Sequence, residues 1–237
     1  MDIDGFEELV KKRRSIRRFK TDPIPDKYVA NILEAGRWAM SGANGQPWEF
    51  VVVRKPELKA QIANLIEEYK DGMYVTESTR VEELRHPGYN ERHSQNIKDP
   101  PVLIIVCGDP RTYMATMINT HFTSGESATF YMNLGNTCQI MHLAAAALGL
   151  GSQWASVTRP LERGLKDLLG IPEIFRIYVI IPIGYRAYEP APSYRRGLDE
   201  IVHYDGYDQS RYRSDQEVID FILRLRNRTK PSYRVEK

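Results

Sequence analysis

The chain has 237 residues, 42% of them hydrophobic, with 33 basic and 31 acidic side chains and a formal net charge of +2. That is enough apolar material for the core of one sizeable domain, and so even a charge balance excludes the broad positive field of a dedicated nucleic-acid binder. Two cysteines in no metal-ligand spacing, an acidic start without an apolar leader, and no run approaching about 20 apolar residues lead to the expectation of a cytoplasmic protein with reduced thiols and no membrane partner.

Asp4-x-x-Glu7 offers a capping box for a first helix whose Phe6, Leu9 and Val10 form one apolar face. The helix runs into a basic cluster, Arg13-Arg14-Ser15-Ile16-Arg17-Arg18-Phe19, where seven of the ten residues from Lys11 to Lys20 are Lys or Arg. By itself such a run reads as a solvated helix end. Pro25 and Asp26 open a second helix, with Val29, Ile32, Leu33 and Gly36 at helical spacing, ending near Met40. Directly after it comes a small, amide-rich loop, Ser41-Gly42-Ala43-Asn44-Gly45-Gln46-Pro47-Trp48. In isolation its Asn44-Gly45 pair is a turn signal, and Trp48 reads as core. A buried strand is expected over 50–53, and Pro56 starts a helix carrying Leu58, Ile62 and Leu65.

Between Glu67 and Lys98 the pattern lapses into a charged, tyrosine-rich excursion, a candidate lid. A second buried strand spans 101–107 and contains Cys107. Thr123-x-x-Glu126 then caps the longest helix, in which Leu134, Cys138, Met141, Ala145 and Leu148 form one stripe, and Ile140, Leu143, Ala144 and Ala147 much of another. That pattern predicts a central helix buried on nearly all sides, ended by a left-handed Gly149. His142 within it reads as a satisfied core histidine. A helix over 161–169, a central strand over 177–183, and a last helix introduced by Ser214-x-x-Glu217 complete an α/β chain.

The Arg-Arg-Ser-x-Arg run and the Ser-x-x-Asn-x-Gln-Pro-Trp loop, followed by Gly149-Leu150-Gly151-Ser152-Gln153-Trp154 and by Pro182-Ile183-Gly184-Tyr185 with Arg195-Arg196-Gly197-Leu198-Asp199-Glu200, resemble the nitroreductase family of FMN-dependent oxidoreductases. The resemblance covers roughly residues 6–202. It implies a mixed sheet flanked by helices in an intertwined homodimer, one FMN-binding domain over 1–205 with the possible lid at 67–98, and a C-terminal helix and tail, 206–237, as an arm crossing to the partner. FMN is the implied cofactor, NADH or NADPH the hydride donor, and a flat nitroaromatic or quinone-like molecule the acceptor.

Roles carried over by resemblance follow residue by residue. Arg13, Arg14, Ser15 and Arg195 are the phosphate set, with Arg196 as an alternative to its neighbour; guanidinium groups suit a dianion because they pair with it bidentately. Arg17 matches a basic position beside flavin N1 and O2, where a fixed positive charge favours reduction. Ser41, Asn44 and Gln46 match contacts to the ribityl chain and the pyrimidine edge, and an Asn can donate and accept at once. Ser156, with Ala155 and Val157, matches a backbone donor to N5 and O4. No catalytic acid, base or metal is required, since positioning beside the flavin supplies most of the rate. Trp38, Met40, Tyr89 and His93 are candidates for the substrate side, and Asn133 departs from a common acidic residue.

Four other readings stand beside this one, among them oxygen-dependent destruction of the flavin, which no residue pattern supports. A reductive dehalogenase would use the same flavin set with a lid that clamps a halogenated aromatic, Glu91, Arg92 and Lys98 being available for a zwitterion. A non-catalytic flavin-binding redox sensor would have its pocket closed by Trp38 and Met40. A nucleic-acid module would owe its affinity to the basic N-terminal run. The absence of G-x-G-x-x-G and of a P-loop argues against a Rossmann dehydrogenase or an NTPase.

Overall fold

The computed structural model describes residues 2–69, 82, 97–114, 128–191 and 193–228. Most of the 67–98 excursion, with Tyr89, Glu91, Arg92 and His93, lies outside the described residues, as do the Thr123–Glu126 capping box and the end of the tail. The chain forms two compact units, one from the described residues within Met1–Asp71 and Ser94–Tyr188, the other from those within Gly72–His93 and Glu189–Lys237.

In the first unit α1 spans Ile3–Lys12 and α2 Asp26–Arg37; β1 is Trp48–Val53, α3 Pro56–Glu68, β2 Val102–Gly108 and α4 the single turn Arg111–Met114. Then come α5, Ala128–Ala147, β3, Gly151–Ser152, β4, Ala155–Ser156, α6, Arg159–Leu169, and β5, Arg176–Gly184. The strand order is β1-β2-β5-β3, with β4 also on β5, and every pairing among these strands is antiparallel. A parallel bridge between Ser15 and Ser152 adds the N-terminal segment and makes the sheet mixed.

The two long apolar runs became the central strands because both of their faces are covered. Val102, Ile104 and Val106 of β2, with Val179, Ile181 and Ile183 of β5, join one core cluster with Val29 and Ile32 of α2 and Leu134, Cys138, Met141 and Ala145 of α5. The alternate residues, Leu103, Ile105 and Cys107 with Ile177 and Ile180, join a second cluster with Ile62 of α3 and Leu161 and Leu165 of α6. Burial pushes the thiols of Cys107 and Cys138 up to about 12, so both are unreactive apolar filling. Trp48 is likewise core.

Several boundaries differ from the sequence reading. Asp2 rather than Asp4 caps α1, because its extended backbone lets the carboxylate accept the Gly5 N–H at 2.9 Å, whereas Asp4 already lies inside the first turn. α2 stops at Arg37, where the N–H groups of Trp38 and Ala39 turn to the carbonyls of Ala35 and Gly36 and tighten the final turn. It lies so close to α5 that a Cβ on Gly36 would meet Met141 Cγ at 2.6 Å. α5 is buried on one face only: Ile140, Leu143 and Ala144 are half-buried, Ala147 is exposed, and Met132 stands 58% exposed. Gly149 does end α5 in the left-handed region, at φ 75°, and Leu150 N–H returns to Ala145 O at 2.9 Å.

In the second unit α7 spans Asp215–Arg228. Its capping box forms as the sequence pattern requires: Ser214 N–H donates to Glu217 Oε2 at 2.7 Å, and Glu217 N–H donates to Ser214 Oγ at 3.3 Å.

Candidate cofactor site

α1 gives way at Arg13, whose backbone turns extended at φ −59° and ψ 129°. The chain then runs as an arm along the sheet. Ile16 N–H donates to Ser152 O at 2.9 Å, Lys20 N–H to Tyr185 O at 2.9 Å, and Ala187 N–H to Arg18 O at 3.2 Å. Ile16 and Phe19 are buried and pin the arm, while Arg17 and Arg18 are left exposed and Arg13, Arg14 and Ser15 half-buried. The approach is close at Gly151, where an added Cβ would meet Ile16 Cγ1 at 2.8 Å.

Arg14 Nη1 donates to the carbonyls of Lys11 and Arg13, the latter at 2.9 Å, yet Arg14 Nε is buried without a hydrogen-bond partner among the described residues. An unpaired buried guanidinium N–H costs free energy that an acceptor anion would recover. With Arg13 and Ser15 adjacent, these residues fit a phosphate. Arg17 donates its backbone N–H to Tyr188 Oη at 3.4 Å, and Arg18 stands over the Tyr188 ring at 5.3 Å.

Beneath the arm lies His142 of α5, 4% exposed. Its Nδ1 is 2.8 Å from Ser152 Oγ, but its Nε2 is buried with no partner among the described residues, so this histidine is only half satisfied. Burial, reinforced by the nearby Arg13 charge, pulls its pKa down to about 4 and keeps the ring neutral. Ser152 therefore links three elements: its backbone oxygen holds the arm, its hydroxyl meets α5, and its main chain pairs with β5.

At another station along α5 the amide loop is held. Gly42 N–H donates to Asn133 Oδ1 at 3.1 Å, and Asn136 Nδ2 to Met40 O at 3.3 Å. Ser41 Oγ accepts the Gln46 N–H at 3.0 Å across the loop. Ala43, Asn44 and Gln46 all adopt left-handed φ, at 51°, 54° and 44°, while Gly45 does not, at −69°. The Asn-Gly turn suggested by sequence is thus not the one formed. Left-handed backbone costs roughly 1–2 kcal/mol at a non-glycine residue, so this loop is maintained against its own preference by the bonds around it. Asn44 and Gln46 keep exposed side chains, and Gln46 Nε2 donates to Asn44 O at 3.3 Å.

Trp38 and Met40, flanking this loop, are 74% and 78% exposed. Trp38 is nonetheless fixed: its Nε1 donates to Glu34 Oε1 at 2.8 Å, and Arg37 pairs with Glu34 and stands 5.1 Å over the indole. The Arg37 guanidinium, with the indole N–H, holds the Glu34 carboxyl down to about 2.

Ser156 is exposed on β4, opposite Val179, with Ala155 buried before it. In the second unit Arg195 is exposed and donates to Tyr194 O at 2.8 Å, whereas Arg196 is engaged by Glu200 at 3.3 Å and by the Phe221 ring. Within the first unit, the arm and the amide loop are anchored to α5 at His142 and Asn133, nine positions or about 14 Å apart along the axis. Asn133, His142 and Ser152 were not singled out as site residues from sequence. A polar residue within the apolar stripe of a buried helix is the signal that could have found the first two. Among the described residues no cluster of His, Cys, Asp or Glu could hold a metal.

A model of the nitroreductase family matches residues 10–185. Iodotyrosine deiodinase 1 of Rattus norvegicus is 30% identical over 211 residues, covering 85% of this chain and 70% of that protein. Among solved structures, iodotyrosine deiodinase bound to FMN and 3-iodo-L-tyrosine superimposes with a TM-score of 0.67 at 26% identity, over 85% of this chain and 99% of that one. Nitroreductase A of Vibrio parahaemolyticus shares the fold with a TM-score of 0.71 at 18% identity, over 97% of this chain and 87% of that one.

Proposed function

Because the chain belongs to the nitroreductase family, we propose that it is an FMN-dependent oxidoreductase that takes hydride from NADH or NADPH and delivers it to a flat electrophilic aromatic or quinone. The observation that carries the cofactor assignment is Arg14 Nε, buried and unpaired beside Arg13 and Ser15. FMN, when bound, supplies the two-electron chemistry at N5. The chain's own part is to bind and orient. Arg13, Arg14 and Ser15 receive the phosphate, and the resemblance adds Arg195, whose guanidinium is less committed within its own unit than that of Arg196. Arg17, exposed and on the same arm, supplies the positive charge for the pyrimidine end. Ser41, Asn44 and Gln46 form the polar lip that reads the flavin edge, and Ser156 presents backbone to N5.

A second copy of the chain belongs to this reading. α1 buries none of its residues and leaves Ile3, Phe6 and Val10 at least 40% exposed, while Met40 and Met132 are also open. A homodimer would cover such surface.

The similarity to iodotyrosine deiodinases favours a second reading on the same scaffold, reductive removal of halogen from an aromatic ring. One experiment separates the two. Purified protein is examined for bound FMN by its visible spectrum, reduced anaerobically with NADH, NADPH or dithionite, and mixed with a quinone, a nitroaromatic or 3-iodotyrosine. Bleaching by a nicotinamide and reoxidation by quinone or nitroaromatic support the first reading. Reoxidation by 3-iodotyrosine with iodide release supports the second. Failure to hold FMN after reconstitution overturns both.

A further inference from the structure

The arm that bears the arginine cluster rests on a support that none of the roles above includes. Ile16 N–H is tied to Ser152 O at 2.9 Å, Ser15 is bridged to the same residue, and Ser152 Oγ lies 2.8 Å from His142 Nδ1. Ser152 and His142 are 3% and 4% exposed. A hydrogen bond between two groups so removed from water is hard to replace by solvent, and its geometry passes directly to the backbone oxygen that receives the arm. Gly151, just before it, already permits the closest approach of Ile16.

We propose that His142 is a positioning residue for cofactor binding: through Ser152 it sets the placement of Ser15 and Ile16 and so aims Arg13, Arg14 and Arg17 at the phosphate and the flavin. The inference rests on the FMN reading above. An apolar residue would fill the same volume on α5 but could not orient the Ser152 hydroxyl. β3 is only two residues long, so its ladder to β5 contributes little rigidity by itself. The link to α5 provides what the short ladder lacks. Arg14 is the residue whose aim matters most, because it keeps one buried N–H unused within the protein.

The structure also separates this role from plain core packing. His142 contributes one bond at Nδ1 and leaves Nε2 unpaired, so as a core residue it is a poor choice: a leucine there would remove an unsatisfied buried nitrogen. Retaining the imidazole makes physical sense if Ser152 must be held.

The test measures FMN affinity by quenching of flavin fluorescence on reconstitution of apoprotein, together with the melting temperature of each apoprotein. The variants are His142→Leu, His142→Gln, Ser152→Ala and the double variant His142→Leu/Ser152→Ala. His142→Leu and Ser152→Ala are each expected to weaken FMN binding about three- to tenfold, the size of one hydrogen bond, without lowering the apoprotein melting temperature in proportion. The double variant should lose no more than either single one, and His142→Gln, which can still bond to Ser152, should recover part of the loss. In an Arg14→Ala background, His142→Leu should have less effect, since the group it aims is gone. Wild-type FMN affinity in both single variants, or additive losses in the double variant and in the Arg14→Ala background, overturns the proposal while leaving the flavin reading intact. Wild-type protein that binds no FMN overturns that reading instead. If His142→Leu does not fold, Ser152→Ala alone decides: unchanged affinity there refutes the role.

Discussion

Asn133 Oδ1 accepts the Gly42 N–H at 3.1 Å, joining the buried face of the longest helix to a loop ninety-one positions earlier in the chain. The loop needs such an anchor, because three of its non-glycine residues are left-handed. Asn133→Leu leaves the Gly42 N–H without its acceptor and should destabilise the protein by about 1–3 kcal/mol. Urea unfolding measures that loss. The same variant should bind FMN more weakly, because Ser41, Asn44 and Gln46 are no longer held in register.

Ala43 offers the opposite experiment. At φ 51° its Cβ is a source of strain that glycine lacks, so Ala43→Gly should leave stability unchanged or raise it by up to about 1 kcal/mol. Gly45→Ala, by contrast, gains no relief, since Gly45 is already at φ −69° and an added Cβ would sit 3.3 Å from Gly42 O. A melting temperature that falls in Ala43→Gly and rises in Gly45→Ala would contradict the loop geometry.

Arg14→Ala should remove most of the FMN affinity, by one to two orders of magnitude, with little change in apoprotein stability. Its guanidinium bonds locally to the carbonyls of Lys11 and Arg13 and leaves Nε unused, and a charge-assisted contact to phosphate is worth about 1.5–3 kcal/mol. Isothermal titration with FMN tests this. Arg18→Ala serves as the control, because Arg18 is exposed over the Tyr188 ring.

His142 gives the protein an acid limb. Its pKa in the fold, about 4, lies below the ordinary 6.5, chiefly because burial disfavours the imidazolium. The unfolded chain therefore takes up a proton between pH 6.5 and about 4 that the folded chain refuses. The histidine's stabilising contribution is complete above pH 6.5 and declines as pH falls through that window, at up to about 1.4 kcal/mol per pH unit. Urea unfolding at pH 7, 6 and 5 should show the wild type losing stability relative to His142→Leu. A difference that stays constant with pH would show that the ring is not held neutral.

Glu162 is a structural charge on the opposite face of the sheet. It accepts the Ile177 N–H at 3.0 Å and lies 3.5 Å from Lys166, whose side chain is 4% exposed, with Arg176 at 3.9 Å. Glu162→Ala leaves the strand N–H without its acceptor and takes away the buried carboxylate beside Lys166, whose ammonium keeps the Glu173 carbonyl at 2.7 Å, and should cost about 1–3 kcal/mol. Glu162→Gln keeps an acceptor for Ile177 and should cost less. FMN affinity should follow neither change beyond the loss of folded protein.

Composition and local pattern determined much of the architecture. The apolar runs around Ile104 and Ile180 read best as strands covered on both faces and are so, Gly149 could end a helix because it tolerates φ 75°, and Ser214 with Glu217 formed the cap their spacing allows. These are local choices, made within a few residues of backbone and one face of burial. The arginine run and the amide loop were likewise legible as motifs, because their chemistry lies in the residue types themselves. What the sequence alone did not carry is which distant groups meet. Asp2 displaced Asp4 as a cap through the backbone angle at one residue, the loop placed its left-handed residues on either side of its glycine, and α5 kept an open face that its composition suggested would be buried. The supports of the site, Asn133 under Gly42 and His142 under Ser152, depend on hydrogen bonds whose partners are brought together only when α5 packs beneath the sheet edge. Spacing along a chain reports periodicity; the direction of a single buried donor is fixed by tertiary packing.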